Sequence, residues 1–461
     1  MKIAILAGGT GERLFPLSNG GLPKPFLKLP GNASLLAQTI NRFLKVVAPE
    51  NLIIVVNKDC YWLALEELRQ CKAEGAHIIC EPVGRNTAPA IAFVMKYCEE
   101  KLGANQEEII LVAPADQVLE PEFALAEFLP KVFSVAAGDS LVVLGVKPDR
   151  AETGYGYIKI GKYVEEGYAE VISFTEKPDK ETAKAYLLDD SYYWNAGMLA
   201  FTIGYMKTAL VVFRPDIIDI YEKNYEGFLE NFEHMPNISI DYAVVEKTKK
   251  IKMLPLSIKW NDVGSWDAVM DLMDRDEGKN AVKGDAYELG CKNTLLFSNN
   301  RTVIGIELDS IGVVETQEAV LVFKKGESQK VKEMVSLLKR MDNSKVNEVT
   351  TVQRPWGSYT IIAKGQGYKV KIIHVRPGGK LSMQQHSKRS EHWTVIAGRG
   401  KLVLEDKEII FGVHEGVHIS IGEKHRLENI GDVILEIIEV QNGQYLGEDD
   451  IIRFDDEYGR N

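Results

Sequence analysis

The sequence predicts an α/β protein. A mostly parallel sheet with helices on both faces comes first, then a short β-rich stretch, then an all-β domain, either a small antiparallel barrel or a double-sheet jelly roll. Three observations carry this. Short apolar runs alternate with helical patterns up to about residue 275, and helical periodicity largely disappears after Asn347. The chemistry divides in the same way: all five cysteines precede residue 292, and six of the eight histidines fall between His374 and His425.

Taken in order, Lys2–Ala7, Leu52–Val56, Ile109–Ala113 and Leu141–Gly145 are continuous apolar runs closed by turn residues. Strands buried on both faces of a parallel sheet read this way. Between them lie helical stretches such as Asn86–Leu102, where Thr87-Ala88-Pro89 opens an Ala-rich apolar face. From about 276 to 325 the pattern turns to short β-like pieces ending in Ala319–Phe323. Glu327–Asp342 then spaces Val331, Met334, Val335, Leu337 and Leu338 as a connecting helix would. Beyond it Tyr368–Val375, His392–Ile396, Lys401–Leu404 and Val433–Val440 read as strands, with Pro377-Gly378-Gly379, Gly398 and Gly422 as turns. The expected domains are 1–275, a β-rich linker with its helix over 276–345, and 346–461. No internal repeat or low-complexity tract is visible.

Composition narrows the class. Over 461 residues, 45% are hydrophobic and 26% charged, as in ordinary globular proteins. Lys plus Arg number 55 against 66 Asp plus Glu, a net charge of −11, which argues against nucleic acid as a partner. No apolar run approaches the roughly 18 residues of a membrane helix. The opening Met1–Ala7 looks like a secretory start, but its apolar stretch ends at Gly8-Gly9, too short for a signal peptide. The cysteines are odd in number, scattered and without a CxxC pair, implying reduced thiols and a cytoplasmic location.

The sharpest motif follows the first strand: Gly8-Gly9-Thr10-Gly11-Glu12-Arg13-Leu14, then Pro16-Leu17 and Pro23-Lys24-Pro25-Phe26-Leu27. Glycines at such a strand end let backbone N–H groups approach an anion, and open α/β sheets bind ligands there. No Gly-Lys-Ser/Thr follows, so this is not a P-loop, nor is it a dinucleotide GxGxxG. The planar fork of Arg13 could clamp phosphate, with Lys24 as a second cation. Alone, a Gly-Gly-x-Gly equally describes a tight turn beside surface charges.

Together these residues resemble the sugar-1-phosphate nucleotidyltransferases, whose signature is Gly-Gly-Ser/Thr-Gly-x-Arg-Leu-x-Pro-Leu with a later Pro-Lys-x-x-Leu. Further segments resemble the mannose-1-phosphate guanylyltransferase branch, in the family's order. They are Glu81–Ala90, Pro114-Ala115-Asp116, Glu152–Ile158, Phe174–Pro178, Trp194–Met198 and Trp260–Trp266. The resemblance implies a Rossmann-like sheet and transfer of GMP from GTP to mannose 1-phosphate. It places the nucleotide against Leu6, Ala7, Gly8, Gly9, Thr10, Gly11, Glu81, Arg85, Asn86, Thr87, Pro114 and Asp116. The sugar phosphate falls to Gly156, Glu176, Lys177, Asn195 and Gly197. Arg13 and Lys24 become the catalytic cations, and Asp116 and Asp262 the holders of Mg²⁺. No acid–base pair is required, because the attacking phosphate is already ionised, so positioning and electrostatics carry the rate. The chain departs from the family at Pro25, where Gln is common, at Gln117, where His is common, and at Gly20-Gly21.

Near the other end, Gln384, His386, Glu391 and His425 could converge inside a barrel, since strand positions two apart share a face. Glu391 is expected to return on the strand adjacent to that of His386. Two imidazoles, a carboxylate and an amide oxygen suit a divalent transition metal such as Zn²⁺ or Co²⁺. Histidines in strands are also often plain hydrogen-bonded residues. The spacing resembles the two cupin motifs. Arg389–Trp393, Ile438–Gln441, Tyr445–Ile451 and Tyr458-Gly459-Arg460 resemble the type II phosphomannose isomerases, which form the C-terminal halves of bifunctional guanylyltransferases. This implies interconversion of fructose 6-phosphate and mannose 6-phosphate. Arg453 is the candidate for the catalytic cation that holds the phosphate, with Arg389 or Lys388 behind it. Ser387-Lys388 stands where the family often has histidines, and Ser420 where it has Pro.

Two alternatives remain at this stage. The cupin domain could be a structural or regulatory sugar-phosphate-binding module, or the transferase could take another sugar or base. Exposed barrel faces and the connecting helix leave room for a homodimer.

Overall fold

A computed structural model describes the chain except residues 10, 20, 30, 165–166, 342–350 and 456–461, with side chains 122–123 also left aside. Tyr458-Gly459-Arg460 and Thr10 therefore lie outside the described residues. Two compact units emerge, Met1–Val346 and Asn347–Asn461.

The first unit is built on a nine-stranded sheet. From one edge its strands are His77–Glu81, Leu52–Asn57, Lys2–Leu6, Ile109–Pro114, Tyr192–Thr202, Leu141–Val146, Ile251–Leu256, Ala169–Glu176 and Gly156–Tyr163. The first four are mutually parallel, as are Leu141–Val146 and Ile251–Leu256. Tyr192–Thr202 runs antiparallel between these groups. Ile3, Ile54, Leu111, Val142 and their neighbours are wholly buried, because one apolar core lies on each face of the sheet. The expected helix runs Thr87–Leu102, with the Asn86 side chain accepting from the Thr87 N–H at its start and Gly103 in the left-handed conformation at its end.

The segment expected as a linker packs as part of this unit. Ala281–Lys283, Leu295–Ser298 and Ile311–Glu315 stack in parallel, and Val320–Lys324 closes them antiparallel. Ala281, Leu295, Phe297 and Val314, with Val331 and Val335 of the helix Val331–Arg340, share a core with Leu14, Phe15, Leu27 and Trp266. The indole of Trp266 donates to the Phe15 carbonyl at 2.9 Å. The turn that carries Arg13 is therefore braced from behind.

The second unit is a double sheet. One sheet orders Thr351–Arg354, Gly357–Gly365, Tyr368–Val375, Leu435–Gly443, Arg389–Ala397 and Gly416–Ile419. The other orders Lys407–Gly412, Arg399–Leu404, His425–Asn429, Met383–His386 and Ile451–Asp455. Trp393, Val395, Leu402, Leu427, Leu435 and Ile437 fill the space between them.

Candidate functional sites

In the first unit, a cavity of about 660 Å³ opens at the carboxyl ends of the parallel strands. Leu6, Val55, Asn57, Glu81, Val112 and Pro114 reach it from strands, while Gly8 and Gly9 reach it from the turn. This is where an open α/β sheet leaves a crevice, since neighbouring loops diverge there. Asn86, Thr87 and Gly197 complete the part of its wall that the sequence anticipated. Ala7 is buried behind it. Gly11 has φ 67°, and a Cβ there would lie 2.4 Å from the Cβ of Lys24. Only glycine lets the turn and the lysine segment come this close.

Lys24 is buried, and its ammonium sits 2.7 Å from Asp116 Oδ2 while also donating to the Asp262 backbone carbonyl. The Asp262 carboxylate accepts from the Tyr155 hydroxyl at 2.7 Å and from the Gly264 N–H at 3.1 Å. Lys24 thus draws Asp116 and Asp262 together. Arg13 and Asp262 line a separate depression of about 180 Å³ with Arg150 and Tyr155. The Arg85 guanidinium donates to the Glu233 carbonyl, and Arg85, like Gly11 and Asp116, does not line this cavity.

On the sugar side, Gly156 makes room for Glu176, whose Oε2 would lie 2.5 Å from a Cβ at residue 156. Glu176 pairs with Lys177 at 2.6 Å. Asn195 donates to Asp241 Oδ1 at 3.1 Å and accepts from the Gly197 N–H at 3.0 Å. Asp241 lines the cavity but escaped the sequence reading, because it sits in the π turn Asp241–Val245 with no motif around it. Burial and nearby Glu176 push its carboxyl up to about 6. Burial alone raises Glu81 to about 7. Gln117 stands where the family commonly has His, and it ties the frame together. It donates to the Ala196 carbonyl at 2.8 Å and accepts from the Trp260 indole at 3.0 Å.

In the second unit, His386, Glu391 and His425 bring their ligand atoms within 4.8 Å of one another, all buried. His386 Nε2 is 3.0 Å and His425 Nε2 3.6 Å from the Glu391 carboxylate. Gln384 lies opposite His425 in the strand register, its amide 3.4 Å from Nε2. One expectation is corrected here. Glu391 belongs to the facing sheet, because Ser387-Lys388 carries the chain across the sandwich; the carboxylate meets the imidazoles through the interior.

Around this cluster most polar groups are paired, His386 Nδ1 being an exception among the described residues. His425 Nδ1 faces the Glu423 carbonyl at 3.0 Å, so Nδ1 carries the proton and Nε2 keeps its lone pair. Burial lowers the His425 pKa, which favours the neutral ring. Arg389 donates to Glu391 at 3.2 Å and to the Gly447 carbonyl at 2.9 Å. Gln441 bridges Glu391 and Glu439, as does the Trp393 indole. The imidazoles and Arg389 hold Glu391 well below the usual carboxylate range against the cost of burial. Glu439 is pushed up to about 8 by burial and by the charge of Glu391. Arg453, Arg389, Gln384 and Glu391 line a cavity of about 40 Å³, whereas Lys388 is exposed and lies against the Tyr445 ring.

Comparison with known proteins decides the family. The nucleotidyl transferase description matches residues 2–279, and the mannose-6-phosphate isomerase C-terminal description matches residues 341–456. The chain belongs to the nucleotidyl transferases and ends in a mannose-6-phosphate isomerase C-terminal domain. It is 41% identical to the xanthan biosynthesis protein XanB of Xanthomonas campestris, over 99% of this chain and 98% of that one. It is 40% identical to the alginate biosynthesis protein AlgA of Pseudomonas aeruginosa, over 99% and 96%. The mannose-1-phosphate guanylyltransferase RfbM of Salmonella typhimurium is 38% identical, over 99% and 97%. A Thermus thermophilus crystal structure, described as a mannose-1-phosphate geranyltransferase, matches with TM-score 0.67 at 31% identity, covering 73% of this chain and 99% of that one. The nucleotidyl transferase part thus carries the large cavity and the isomerase part the histidine cluster. Among the described residues, no helix is long and apolar enough to cross a membrane.

Proposed function

We propose that the chain is a bifunctional enzyme. Its first unit transfers GMP from GTP to mannose 1-phosphate, giving GDP-mannose and pyrophosphate. Its second interconverts fructose 6-phosphate and mannose 6-phosphate. One observation carries the reading: each unit has its own cavity lined by charge-bearing groups, and each falls within its own family description.

In the transferase, an oxygen of mannose 1-phosphate attacks the α-phosphorus of GTP. The bond to the bridging oxygen breaks, and pyrophosphate leaves. Two anions must meet, so the chain's task is to screen and align them. The backbone of Gly8, Gly9 and Gly11 approaches the triphosphate, and Arg13 and Lys24 neutralise it. Glu81, Asn86 and Thr87 flank the nucleoside end of the cavity. Glu176, Lys177, Asn195 and Gly197 hold the sugar phosphate beside the room left by Gly156. Asp116 presents a carboxylate bonded to Lys24, and Asp262 one bonded by Tyr155 and Gly264 with its backbone carbonyl on the same ammonium, a set of hard oxygens that fits Mg²⁺.

In the isomerase, a proton moves between C1 and C2 of the open-chain sugar. His386, His425, Glu391 and Gln384 would hold Zn²⁺ or Co²⁺. Two nitrogen donors face one carboxylate at 3.0 and 3.6 Å, and His386 Nδ1 is buried with no hydrogen-bond partner among the described residues. When bound, the divalent ion supplies positive charge to phosphate oxygens in one unit and to sugar oxygens in the other. Arg453, lining the same cavity, is the cation for the sugar's phosphate. Five free cysteines are compatible with a cytoplasmic enzyme.

The deciding measurement is pyrophosphate release from GTP, mannose 1-phosphate and Mg²⁺, with other nucleoside triphosphates and sugar phosphates as controls. GTP with mannose 1-phosphate is expected to turn over fastest. Equal rates with glucose 1-phosphate or UTP would reject the assignment.

A further inference from the structure

The jelly-roll cavity is too small for its substrate. Its volume is about 40 Å³, against about 150 Å³ for a cavity that takes up benzene. A hexose phosphate is larger than benzene, so a lining side chain must move aside to admit it. Among the described residues, Arg354, Lys371, Arg389, Glu391, Glu439 and Arg453 line the cavity from strands. Glu448 is the one charged lining residue on a short turn, Glu448–Asp450, and its side chain remains 41% exposed. It is the more exposed partner of the buried Lys371.

Lys371 is 5% exposed, its ammonium 2.9 Å from Glu448 and 3.6 Å from Glu439, with the Tyr359 ring beneath it at 4.6 Å. With Glu448 withdrawn, Lys371 keeps only the more distant Glu439, so an anion that takes the place of Glu448 restores its nearer partner. A phosphate does this and adds acceptor oxygens. The turn itself is anchored to its surroundings, which leaves the Glu448 side chain as the part able to move. Lys369 donates to the Leu446 carbonyl, Arg389 to the Gly447 carbonyl, the Tyr445 hydroxyl to Asp449 at 2.6 Å and the Ser387 hydroxyl to Asp450 at 2.6 Å. Arg389 also bonds Glu391, so this turn and the proposed metal ligands share one guanidinium.

Building on the isomerase reading, we propose that Lys371 binds the phosphate of the hexose phosphate, and that Glu448 is an internal stand-in for that phosphate, closing the cavity until substrate displaces it. Displacement then turns the Glu448 side chain outward, while the bonds to Lys369, Arg389 and Ser387 keep the turn in place. Lys371 joins Arg453 as the cationic pair that receives the phosphate.

The test uses the full chain and titrates mannose 6-phosphate, with mannose as the unphosphorylated control, by calorimetry, alongside isomerase turnover. Glu448→Gln keeps the shape and removes the competing charge, so mannose 6-phosphate should bind several-fold tighter and KM should fall. Lys371→Gln should weaken binding by about tenfold or more, the cost of a lost charge-assisted hydrogen bond, with mannose binding unmoved. Should Lys371→Gln fail to fold, Glu448→Gln alone decides. Unchanged affinity in Glu448→Gln, or weaker binding that would make Glu448 a substrate ligand, overturns the proposal while wild-type turnover leaves the isomerase reading standing. Absence of both turnover and mannose 6-phosphate binding in the wild type overturns the two together.

Discussion

The two sites solve opposite problems. The cavity of the first unit, about 660 Å³, is lined by strand ends, the glycine turn and the start of a helix, and the buried Lys24 with its two aspartates lies outside its wall. The cavity of the second, about 40 Å³, is walled by paired charges that neutralise one another in the interior. A site that must admit a nucleotide triphosphate keeps space. A site that polarises a small sugar keeps charge, and must balance that charge while empty because buried ions are costly alone. The same residue types serve both, and burial decides which role each plays.

The largest expected effect separates the sites outright. His386→Ala should remove isomerase turnover by on the order of a thousandfold and leave pyrophosphate release intact. Arg13→Ala should lower pyrophosphate release by about a hundredfold or more and spare the isomerase. Loss of both activities in one folded variant would break the comparison. Dialysis against a chelator should repeat the His386 result, and adding back Zn²⁺ or Co²⁺ should restore turnover.

Gly11→Ala probes how closely the glycine turn must pack. A left-handed φ and a Cβ driven into Lys24 should cost about 1–3 kcal/mol and cut transferase activity, read by denaturant unfolding and initial rates.

A smaller effect concerns Glu81, raised to about 7 by burial. Below about pH 4.5 both folded and unfolded chains hold its proton. Between there and pH 7 the unfolded chain ionises first, so this group lowers stability as pH rises, and the loss is complete above pH 7. Glu81→Gln should therefore raise Tm over wild type by a few degrees at most at pH 8, and by less at pH 4.5. An equal shift at both values would show that burial does not disfavour the carboxylate.

The smallest effect is on the surface. Lys339 and Glu12 pair at 2.6 Å with both side chains partly exposed, and Lys339→Ala should cost under about 1 kcal/mol in chemical unfolding. Val335→Ala on the same helix, fully packed, should cost more.

What could be read in advance follows from how local each feature is. The apolar runs at Lys2–Leu6 and Leu52–Asn57 mark buried strands wherever they fall, and the glycine turn marks a strand end, so the crevice was legible. Tyr192–Thr202 looks like the other strands in composition, and its antiparallel insertion depends on partners far away in the chain. Gln384 and His386 share a face by simple alternation. That Glu391 faces them from the opposite sheet depends on where a two-residue crossing sends the chain. Glu439 and Gln441 were visible as part of a motif, yet their place beside Glu391 comes only from the pairing of Glu391 with Gln441. Asp241 had no local mark at all, since its importance arises from the cavity it borders. Arg85 had a motif and no such place, its guanidinium taken by the Glu233 carbonyl.

The shared core of Leu14, Phe15 and Trp266 with Leu295, Phe297 and Val335 sets a practical limit on dissecting the molecule. Cutting after residue 275 would leave those three side chains facing water and loosen the loop that presents Arg13. The shortest excisable piece expected to keep nucleotide transfer therefore runs to the end of the helix at Arg340. Any swap of catalytic halves between relatives should be joined beyond that helix, never at the last strand of the large sheet.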